Sequence, residues 1–366
     1  MAAASTTNST RPIWIVGASG LLAGELARLI AGHPGLHLQQ VISRSAGKAL
    51  KDLHPQLQTE LVTVDLAEGL QALAQALDTC DEQSSPGLFL GLPHGQSAEM
   101  WQRISKGLGT QAAKLAVVDL SADYRLRDPE LHKANYGLEH PDPQGEEGFA
   151  YGLPEFWRAR IVESKRVAAP GCFATALQMA VLPAAIAGKL DSSSPWILNG
   201  VTGSSGSGSA AKQGTHHPFR TGSYKAYSPA GHRHEAELVQ ALREWKIEAP
   251  LHFLPHSGPW SRGIHVSCSL PLKDTLTSAE AQAIYATQFA GEAFAEVLPV
   301  GGIPEMRAVL GSNRVSIGVH VRDKVLTVLL ALDNTIKGGA GQGLQCMNLI
   351  LGEPEAAGLS HAGLGY

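Results

Sequence analysis

The first part of the chain repeats one pattern, in which a short apolar strand leads into a helix. The first strand, residues 13–16, runs directly into a glycine turn at 17–20, and the helix that follows stops at Gly32. This alternation predicts a parallel α/β sheet, because parallel strands need crossover connections that helices supply. The predicted strands are 13–16, 36–42, 62–65, 87–91 and 115–120, and the predicted helices are 21–31, 66–77 and 97–108.

Size and charge set the broad class of protein. The chain has 366 residues, of which 44% are hydrophobic and 17% charged, so it is long enough for two domains. Its formal net charge of -4 includes no block of like charges, which argues against nucleic-acid binding and favours small-molecule chemistry. No apolar run approaches the roughly 18 to 20 residues that span a bilayer. We therefore expect no membrane and no nucleic-acid partner.

The cysteines and the first residues bear on the compartment. Cys80, Cys172, Cys268 and Cys346 stand far apart without CxxC spacing, which argues against a disulfide framework or a structural zinc site. Residues 1–10 are mostly Ala, Ser, Thr and Asn and lack the features of a secretory signal, so we predict a disordered tail. A reducing cytoplasm fits these observations best.

The glycine turn at 17–20 is the first candidate for a binding site. In a parallel sheet, the turn after the first strand brings a helix N-terminus to a dinucleotide pyrophosphate. Gly17, Gly20 and Gly24 depart from the GxGxxG spacing, and a plain strand-to-helix connection is the alternative. Ser43 and Arg44 follow the second strand where NAD-binding proteins place a carboxylate. A guanidinium and a hydroxyl there favour the 2′-phosphate of NADP, unless Arg44 is simply a solvated surface residue.

Cys172 follows a Pro-Gly turn and opens an apolar, helix-forming stretch that closes at Pro183. A helix N-terminus offers unpaired N–H groups and a partial positive charge, which favour the thiolate over the thiol. The alternative is a small buried hydrophobic residue. The sequence therefore makes Cys172 a candidate nucleophile whose role depends on its neighbours.

The second half of the chain predicts a different domain, of the α+β class with antiparallel strands. Predicted strands lie at 196–202, 266–270, 316–321 and 324–332, with a helix over 278–295. A Gly/Ser-rich run at 203–209 fits either a flexible linker or a phosphate-binding nest.

Two histidines stand at the start of a predicted helix in this half. His232 and His234 precede apolar residues at helical spacing, so His234 lies where an imidazole faces a cleft as acid or base. A metal site is the alternative for His-x-His, but no cluster of Cys or carboxylate residues is near in sequence, so we predict no metal. His216 and His217 are predicted to be a surface pair.

Two arginines are candidates for anchoring an anion. Arg125 closes the segment 119–125 after the last strand of the first half, and Arg262 lies in the segment 256–263. Ligands of open α/β sheets bind beyond the carboxyl ends of the strands, and guanidinium groups bind carboxylate or phosphate through paired hydrogen bonds. A structural ion pair is the alternative for each.

Short motifs spread over nearly the whole chain carry a family resemblance. They are residues 17–20, 43–44, 92–95, 119–126, 151–155, 170–176, 232–234, 255–256, 262–263, 311–313 and 333–338. Together they resemble the N-acetyl-γ-glutamyl-phosphate reductase family, in the superfamily of aspartate-β-semialdehyde dehydrogenase. The run from 167 to 183 around Cys172 is highly specific to that family.

The resemblance implies a division of the chain and an assembly. The disordered tail at 1–10 would be followed by an NADP-binding Rossmann domain over 11–168 and a catalytic and oligomerising α+β domain over 169–333. The remainder, 334–366, would hold a helix near 341–351 that returns to the first domain. A homodimer or homotetramer would form through the second domain.

The resemblance also implies a reaction of arginine biosynthesis. The Cys172 thiolate would attack N-acetyl-γ-glutamyl phosphate, expel phosphate and form a thioester, which NADPH would reduce to the semialdehyde. His234 is the expected acid and base, with His232 in reserve. Residues expected to bind the cofactor are Gly17, Ala18, Ser19, Gly20, Leu21, Ser43, Arg44, Pro93 and Asn334. Residues expected to bind the substrate are Arg125, Arg262 and Ser121.

Two departures from the family pattern leave alternatives open. Leu21 and Leu22 replace the usual aromatic-small pair, and the third glycine falls at position 24. Phe173-Ala174 and the run 203–209 resemble a branch whose acyl group need not be acetyl. The same chemistry on an N-succinyl-glutamyl, N-acyl-aminoadipyl or aspartyl phosphate is one alternative. A catalytically silent NADP-binding regulatory protein is the other.

Overall fold

The structure of the protein is a computed structural model that describes residues 10–81, 84–137, 139–140, 142–143, 145 and 148–365. The predicted disordered tail lies outside these residues except for Thr10, whose Oγ1 hydrogen-bonds His37 at 2.8 Å. The chain forms two compact units. Unit 1 comprises Met1–Tyr124, Glu147–Ala169 and Gly343–Leu359, and unit 2 comprises Arg125–Glu146, Pro170–Gln342 and Ser360–Tyr366.

Unit 1 is built on a six-stranded parallel sheet, which confirms the predicted fold class. Its strands are β1 (Arg11–Val16), β2 (Leu36–Ile42), β3 (Gly87–Leu90), β4 (Ala116–Asp119), β5 (Ala150–Tyr151) and β6 (Arg166–Ala168), in the order β2-β1-β3-β4-β6-β5. All residues of β3 and β4 are buried, as expected of central strands covered on both faces by helices. The turns after neighbouring strands therefore meet at one edge of the sheet.

The helices of unit 1 are α1 (Leu21–Ala31), α2 (Leu50–Leu53), α3 (Leu66–Thr79), α4 (Ser97–Leu108), α6 (Pro154–Glu163) and most of α11 (Gly341–Leu351), with a 3-10 turn at Gly109–Lys114. The sequence analysis did not predict α2 and α6, and the other helices begin and end close to their predicted positions. α3 is capped by the Asp65 carboxylate, which accepts from the backbone N–H of Glu68. The predicted strand at 62–65 was wrong. Val62 pairs with Ala49 and Val64 with Ile42, so the two residues pair with different segments and no continuous ladder forms.

Unit 2 holds a seven-stranded mixed sheet. Four of its six strand pairs are antiparallel, as predicted, but β7 with β9 and β11 with β12 run parallel. The strands are β7 (Trp196–Thr202), β8 (Lys225–Ala226), β9 (Leu251–Ser257), β10 (Ile264–Pro271), β11 (Ala295–Val297), β12 (Val315–Arg322) and β13 (Val325–Leu332), in the order β11-β12-β13-β10-β7-β9-β8.

One apolar helix forms the core of unit 2. α7 (Cys172–Ile186) is buried over nearly its whole length and lies against β10 and β13. The other helices are α5 (Pro129–Tyr136), α8 (His217–Arg220), α9 (Arg233–Glu244) and α10 (Ser278–Gln288), and a π-helical turn at Ile336–Ala340 precedes α11. The predicted helix 278–295 was too long, because Gly291 takes a positive φ of 79° and the chain continues as β11. No helix among the described residues is long and apolar enough to cross a membrane.

Candidate active site

The turn after β1 depends on close approach of backbone. Gly17 has a φ of 104°, and a Cβ there would lie 2.5 Å from the carbonyl oxygen of Gly91, just after β3. Gly20 is the N-cap of α1, provides no side-chain cap, and a Cβ there would meet nothing nearer than 3.8 Å. The N-terminus of α1 is therefore open at the edge of the sheet, where a helix end attracts an anion.

A histidine that the sequence analysis missed supports this turn. His54 Nε2 lies 2.6 Å from the carbonyl oxygen of Ala18, and a Cβ on Gly24 would lie 2.4 Å from His54 Nδ1. The third glycine, at position 24, thus makes room for the His54 imidazole, which stabilises the turn through the carbonyl of Ala18. No sequence signal marked His54, because it lies 36 residues from Ala18 and outside every motif.

The remaining candidates in unit 1 follow β2, β3 and β4 at the same sheet edge. Arg44 and Pro93 are exposed and Ser43 is half-buried, while Leu21, at the start of α1, is 39% exposed despite its apolar side chain. Side chains that project freely at the carboxyl ends of parallel strands are available to a ligand.

Ser121, by contrast, is buried and its hydroxyl is engaged. It donates to Asp119 Oδ2 at 2.7 Å and accepts from the backbone N–H of Asp123 at 3.1 Å. The Asp123 carboxylate in turn accepts from the N–H groups of Gly95 and Ala98 at the start of α4. Burial, and secondarily the charge of Asp123, raises the pKa of Asp119 to about 6.

Cys172 is the first residue of α7, where the sequence placed it. Its N-cap is Gly171, and a Cβ on Gly338 would lie 2.7 Å from Cys172 Cβ, so the thiol-bearing residue is packed against the π-helical turn. Burial raises the pKa of the Cys172 thiol. The Arg125 charge, a hydrogen bond from the Phe173 backbone and the Arg233 charge lower that pKa, but burial is the larger effect.

His234 lies directly against the residue before Cys172. A Cβ on Gly171 would stand 2.5 Å from His234 Nε2, so the imidazole fills the space that the missing side chain leaves. His234 is only 7% exposed and lies in the first turn of α9. The structure thus packs His234 on the residue next to Cys172, although the two candidates are 62 positions apart in sequence.

His232 occupies a different environment. It is the N-cap of α9, where its Nδ1 accepts from the backbone N–H of His234 at 3.2 Å. Its ring meets Phe173 and Phe253 edge-on at centroid distances of 5.8 and 5.6 Å. Burial, and then the Arg233 charge, lowers the pKa of His232 to about 4, so the ring is neutral at pH 7.

Arg125 lies in a buried ion pair. Its Nη1 is 3.3 Å from Glu237 Oε1, and the two side chains are 6% and 0% exposed. Glu237 also accepts from the backbone N–H of Gly171 at 3.1 Å. The sequence analysis missed Glu237, although its position three residues after His234 on one helix carried a signal.

Arg262 and Asn334 hold a second polar cluster in unit 2. Arg262 Nε lies 3.1 Å from Asp333 Oδ2, and the guanidinium also contacts the Thr335 hydroxyl. Asn334 Oδ1 accepts from the backbone N–H of Gly263 at 2.6 Å, and its amide nitrogen donates to the Ser205 hydroxyl. Asn334 therefore ties the Gly/Ser-rich segment to the turn that precedes β10.

The Gly/Ser-rich segment is anchored where it begins. Residues Ser204–Ser207 form a 3-10 turn, and the N–H groups of Ser204 and Ser205 donate to the carbonyls of Trp260 and Ser261. A Cβ on Gly203 would lie 2.5 Å from the Ser261 carbonyl, so this packing needs glycine. This part of the segment is not a free linker, and those two amides are not open to a phosphate.

The candidate residues divide between the units. Gly17 to Leu21, Ser43, Arg44, Pro93 and Ser121 belong to unit 1, whereas Cys172, His232, His234, Arg125, Arg262 and Asn334 belong to unit 2. His216 and His217 are both exposed, as predicted. Among the described residues, no group of three or more His, Cys, Asp or Glu side chains is arranged to hold a metal ion.

Comparison with known families covers both units. Residues 12–164 match the semialdehyde dehydrogenase NAD binding domain, and residues 172–334 match the semialdehyde dehydrogenase dimerisation domain. The parallel sheet with its glycine turn and the second sheet with Cys172 at a helix start thus define the class of semialdehyde dehydrogenases.

Comparison with curated proteins narrows the class. The chain is 36% identical to N-acetyl-gamma-glutamyl-phosphate reductase of Pseudomonas syringae pv. syringae, with 96% of this chain and 98% of that protein covered. It is 39% identical to the enzyme of that name from Cellvibrio japonicus, with 94% and 97% covered. The chain belongs to the N-acetyl-gamma-glutamyl-phosphate reductase family, which confirms the resemblance seen in the motifs.

Solved structures share the fold at much lower identity. Aspartate semialdehyde dehydrogenase II from Vibrio cholerae, complexed with ASA, matches with a TM-score of 0.65 at 12% identity and covers 94% of this chain and 98% of its own. Aspartate semialdehyde dehydrogenase with NADP from Candida albicans matches with a TM-score of 0.63 at 18% identity, with 94% and 99% covered. These likenesses establish a common fold.

Proposed function

We propose that the protein catalyses the NADPH-dependent reduction of N-acetyl-γ-glutamyl phosphate to N-acetylglutamate 5-semialdehyde and phosphate, a step of arginine biosynthesis. The name shared by its relatives supports the substrate. The observation that carries the chemistry is that Cys172 takes the first position of α7 while the His234 imidazole packs on the glycine before it.

The turn after β1 fits a dinucleotide cofactor. Gly17 brings the turn against the strand-end backbone, and the uncapped start of α1 at Gly20 leaves room for a phosphate. Residues 17–21 would hold the pyrophosphate, Ser43 and Arg44 the 2′-phosphate, and Pro93 and Asn334 the nicotinamide side. When bound, NADPH supplies the hydride that reduces a thioester carbonyl. The Candida albicans enzyme, whose structure was solved with NADP, supports this cofactor.

The first chemical step joins the substrate to Cys172. The sulfur forms a bond with the acyl carbon, the bond from that carbon to the phosphate oxygen breaks, and inorganic phosphate leaves. Because burial raises the pKa of the thiol, a base must take its proton as the sulfur attacks. The nearby guanidinium of Arg125 and the N-terminus of α7 stabilise the negative charge that develops on sulfur.

His234 is the proposed acid and base. It would accept the thiol proton in the first step and return a proton when the reduced thiohemiacetal collapses to aldehyde and thiol. His232 is assigned a supporting role, because its Nδ1 already accepts from the His234 backbone and its low pKa leaves it neutral. We therefore assign acid and base catalysis to His234 and not to His232, because His232 caps α9 and has a low pKa.

Substrate binding, assembly and compartment complete the proposal. Arg125 and Arg262 would bind the anionic groups of the substrate, while the engaged hydroxyl of Ser121 would shape the strand end after β4. The match to a dimerisation domain supports a homodimer or homotetramer. Cys80, Cys172, Cys268 and Cys346, all of them among the described residues, form no disulfide, which is consistent with a reducing cytoplasm.

The substrate is tested in the reverse direction. Phosphate-dependent reduction of NADP+ is measured with N-acetylglutamate semialdehyde, its N-succinyl and unsubstituted forms, aspartate semialdehyde and N-acetyl-aminoadipate semialdehyde. The N-acetylglutamate compound should give the highest kcat/KM. A higher value for another aldehyde would replace the substrate, and NADPH binding without turnover of any would favour the non-catalytic alternative.

The nucleophile is tested by Cys172→Ser. An alcohol is a poor nucleophile at neutral pH, so turnover should fall by about 10³-fold or more while NADPH affinity stays unchanged. Cys80→Ser is the matched control, because Cys80 is half-buried like Cys172 but lies in unit 1. Near-normal activity of the Cys172 variant would refute the thioester mechanism.

A further inference from the structure

One face of α9 binds the segments on both sides of the thiol. His234, Glu237, Gln240 and Arg243 follow each other at intervals of three residues and therefore lie along one side of the helix. His234 packs on Gly171, and each of the other three side chains contacts the segment that starts at Arg125, as described next. Glu237, the acid in this row, contacts both Gly171 and the segment that starts at Arg125.

Glu237 is the centre of this row. Its carboxylate is fully buried, and its two oxygens lie 3.3 and 3.1 Å from the backbone nitrogen of Gly171, which immediately precedes Cys172. The same carboxylate lies 3.3 Å from Arg125 Nη1. One side chain therefore links the N-cap of α7 to the guanidinium that stabilises negative charge on the Cys172 sulfur.

The rest of the row fixes the backbone around Arg125. The Gln240 amide donates to the Arg125 carbonyl at 2.9 Å and accepts from the Arg127 N–H at 2.6 Å. Arg243 forms an ion pair with Asp128 at 3.0 Å. With the backbone held in this way, the direction of the Arg125 side chain depends on the groups that its guanidinium contacts, Tyr136 and Glu237, of which Glu237 carries the opposite charge.

We propose that Glu237 is a positioning residue that holds the Arg125 guanidinium beside Cys172 and compensates its charge. The proposal rests on Cys172 being the nucleophile of the proposed function. A buried acid that is removed from such a pair leaves the cation uncompensated in a low-dielectric site. Glu237 thus sets how strongly the positive charge of Arg125 acts on the thiol.

Burial has the largest effect on the pKa of the thiol, and five ionisable groups lie around it. Arg125 and Arg233 favour the thiolate, whereas the like charge of Glu237 opposes it. The Tyr227 phenol is neutral at working pH, since burial raises its pKa, and the His234 imidazole packs on the neighbouring glycine. In Glu237→Gln an amide of the same shape replaces the carboxylate. This removes a negative charge that opposes the thiolate, and it leaves the positive charge of Arg125 less compensated. Both changes lower the pKa of the Cys172 thiol.

The test is the pH profile of Cys172 alkylation by iodoacetamide, followed by mass spectrometry of the Cys172 peptide in the full chain without substrate. Glu237→Gln should move the midpoint to lower pH by about one unit or more. Arg125→Met should move it to higher pH. Glu235→Gln is the matched control, because this partly buried acid on the same helix bonds the Phe253 backbone instead, and its midpoint should equal the wild type.

The outcomes separate charge positioning from loosening of the site. If the substitutions only loosened the packing of the site, water would reach the thiol, and the midpoints of Glu237→Gln and Arg125→Met would shift in the same direction. That result would overturn the proposal. An unchanged midpoint in Glu237→Gln would also overturn it. If Glu237→Gln does not fold, Glu237→Asp keeps the charge and should retain the wild-type midpoint, while a downward shift there would contradict the proposal. Alkylation of Cys172 requires no turnover, so the two proposals fail separately. An active Cys172→Ser enzyme would refute the proposed function, but the shift of the alkylation midpoint in Glu237→Gln would remain valid.

Discussion

Gly171→Ala isolates the contact between His234 and the start of α7. Gly171 has a φ of −66° and a ψ of 149°, which alanine adopts without strain, so the change adds one methyl group and no backbone penalty. That methyl would lie 2.5 Å from His234 Nε2, 2.6 Å from Cδ2 and 2.7 Å from Cε1. The perturbation therefore acts on one imidazole ring.

The size of the effect follows from the distance. Ordinary van der Waals contact begins at 3.4 Å, so the ring must retreat from 2.5 Å by about 1 Å. A displacement of about 1 Å of a catalytic group lowers the rate by roughly 10²-fold. The methyl also overpacks a buried site, which reduces the free energy of unfolding by about 1 to 3 kcal/mol. We therefore expect a folded enzyme with kcat reduced about a hundredfold.

The assay compares kcat, NADPH affinity and unfolding by urea for Gly171→Ala and Gly214→Ala. Gly214 is the matched control, because a Cβ there would meet only Lys225 Nζ at 4.0 Å. NADPH affinity should stay unchanged in both variants, since the glycine turn belongs to unit 1. The double variant with His234→Ala should be no slower than His234→Ala alone, because the methyl acts through the imidazole. A folded Gly171→Ala enzyme with kcat within twofold of the wild type would refute this reasoning.

Further predictions concern the cofactor and the pH dependence of stability. Arg44→Ala should weaken NADPH binding much more than NADH binding, measured by fluorescence titration, because only NADPH carries a 2′-phosphate; equal losses would contradict the role of Arg44. Asp119 has its pKa raised to about 6 by burial, so between pH 4 and pH 6 the folded state holds a proton that the unfolded state has released, and stability falls as pH rises through that window. The free energy of unfolding of the wild type relative to Asp119→Asn should decrease by up to about 3 kcal/mol from pH 4 to pH 6 in urea titrations, and a difference that does not change with pH would contradict the raised pKa.

The parts of the fold that local pattern determines could be predicted from the sequence. The bounds of α1, β2 and β7 agree with the predicted ranges, because apolar periodicity and flanking glycines determine these elements, and the bounds of α11 agree with the range that the family resemblance implied. The segment 62–65 was mistaken for a strand because its residues have high strand propensity. Whether they form a ladder depends on a common partner segment, and local sequence contains no information on that.

The candidate site shows the same division. Cys172 at a helix start was predictable because the turn and the apolar run adjoin each other in sequence. The contacts that give the thiol its surroundings are long-range: Gly171 with His234, and Arg125 with Glu237 across 112 residues. Spacing along α9 indicated that His234 and Glu237 share a face, but only the packing of α9 on the start of α7 shows what that face touches.

The pKa of Cys172 has a consequence for how the thiol is activated. A helix N-terminus and a nearby guanidinium both lower the pKa of a thiol and favour the thiolate. At Cys172 burial outweighs both effects and raises the pKa. The resting enzyme therefore holds mostly thiol, which oxidants and alkylating agents attack slowly. Activation then requires proton transfer to a base at the moment of attack, and the imidazole on Gly171 is the group placed to receive it. The reactivity of Cys172 should accordingly depend more on the position of His234 than on the N-terminus of α7.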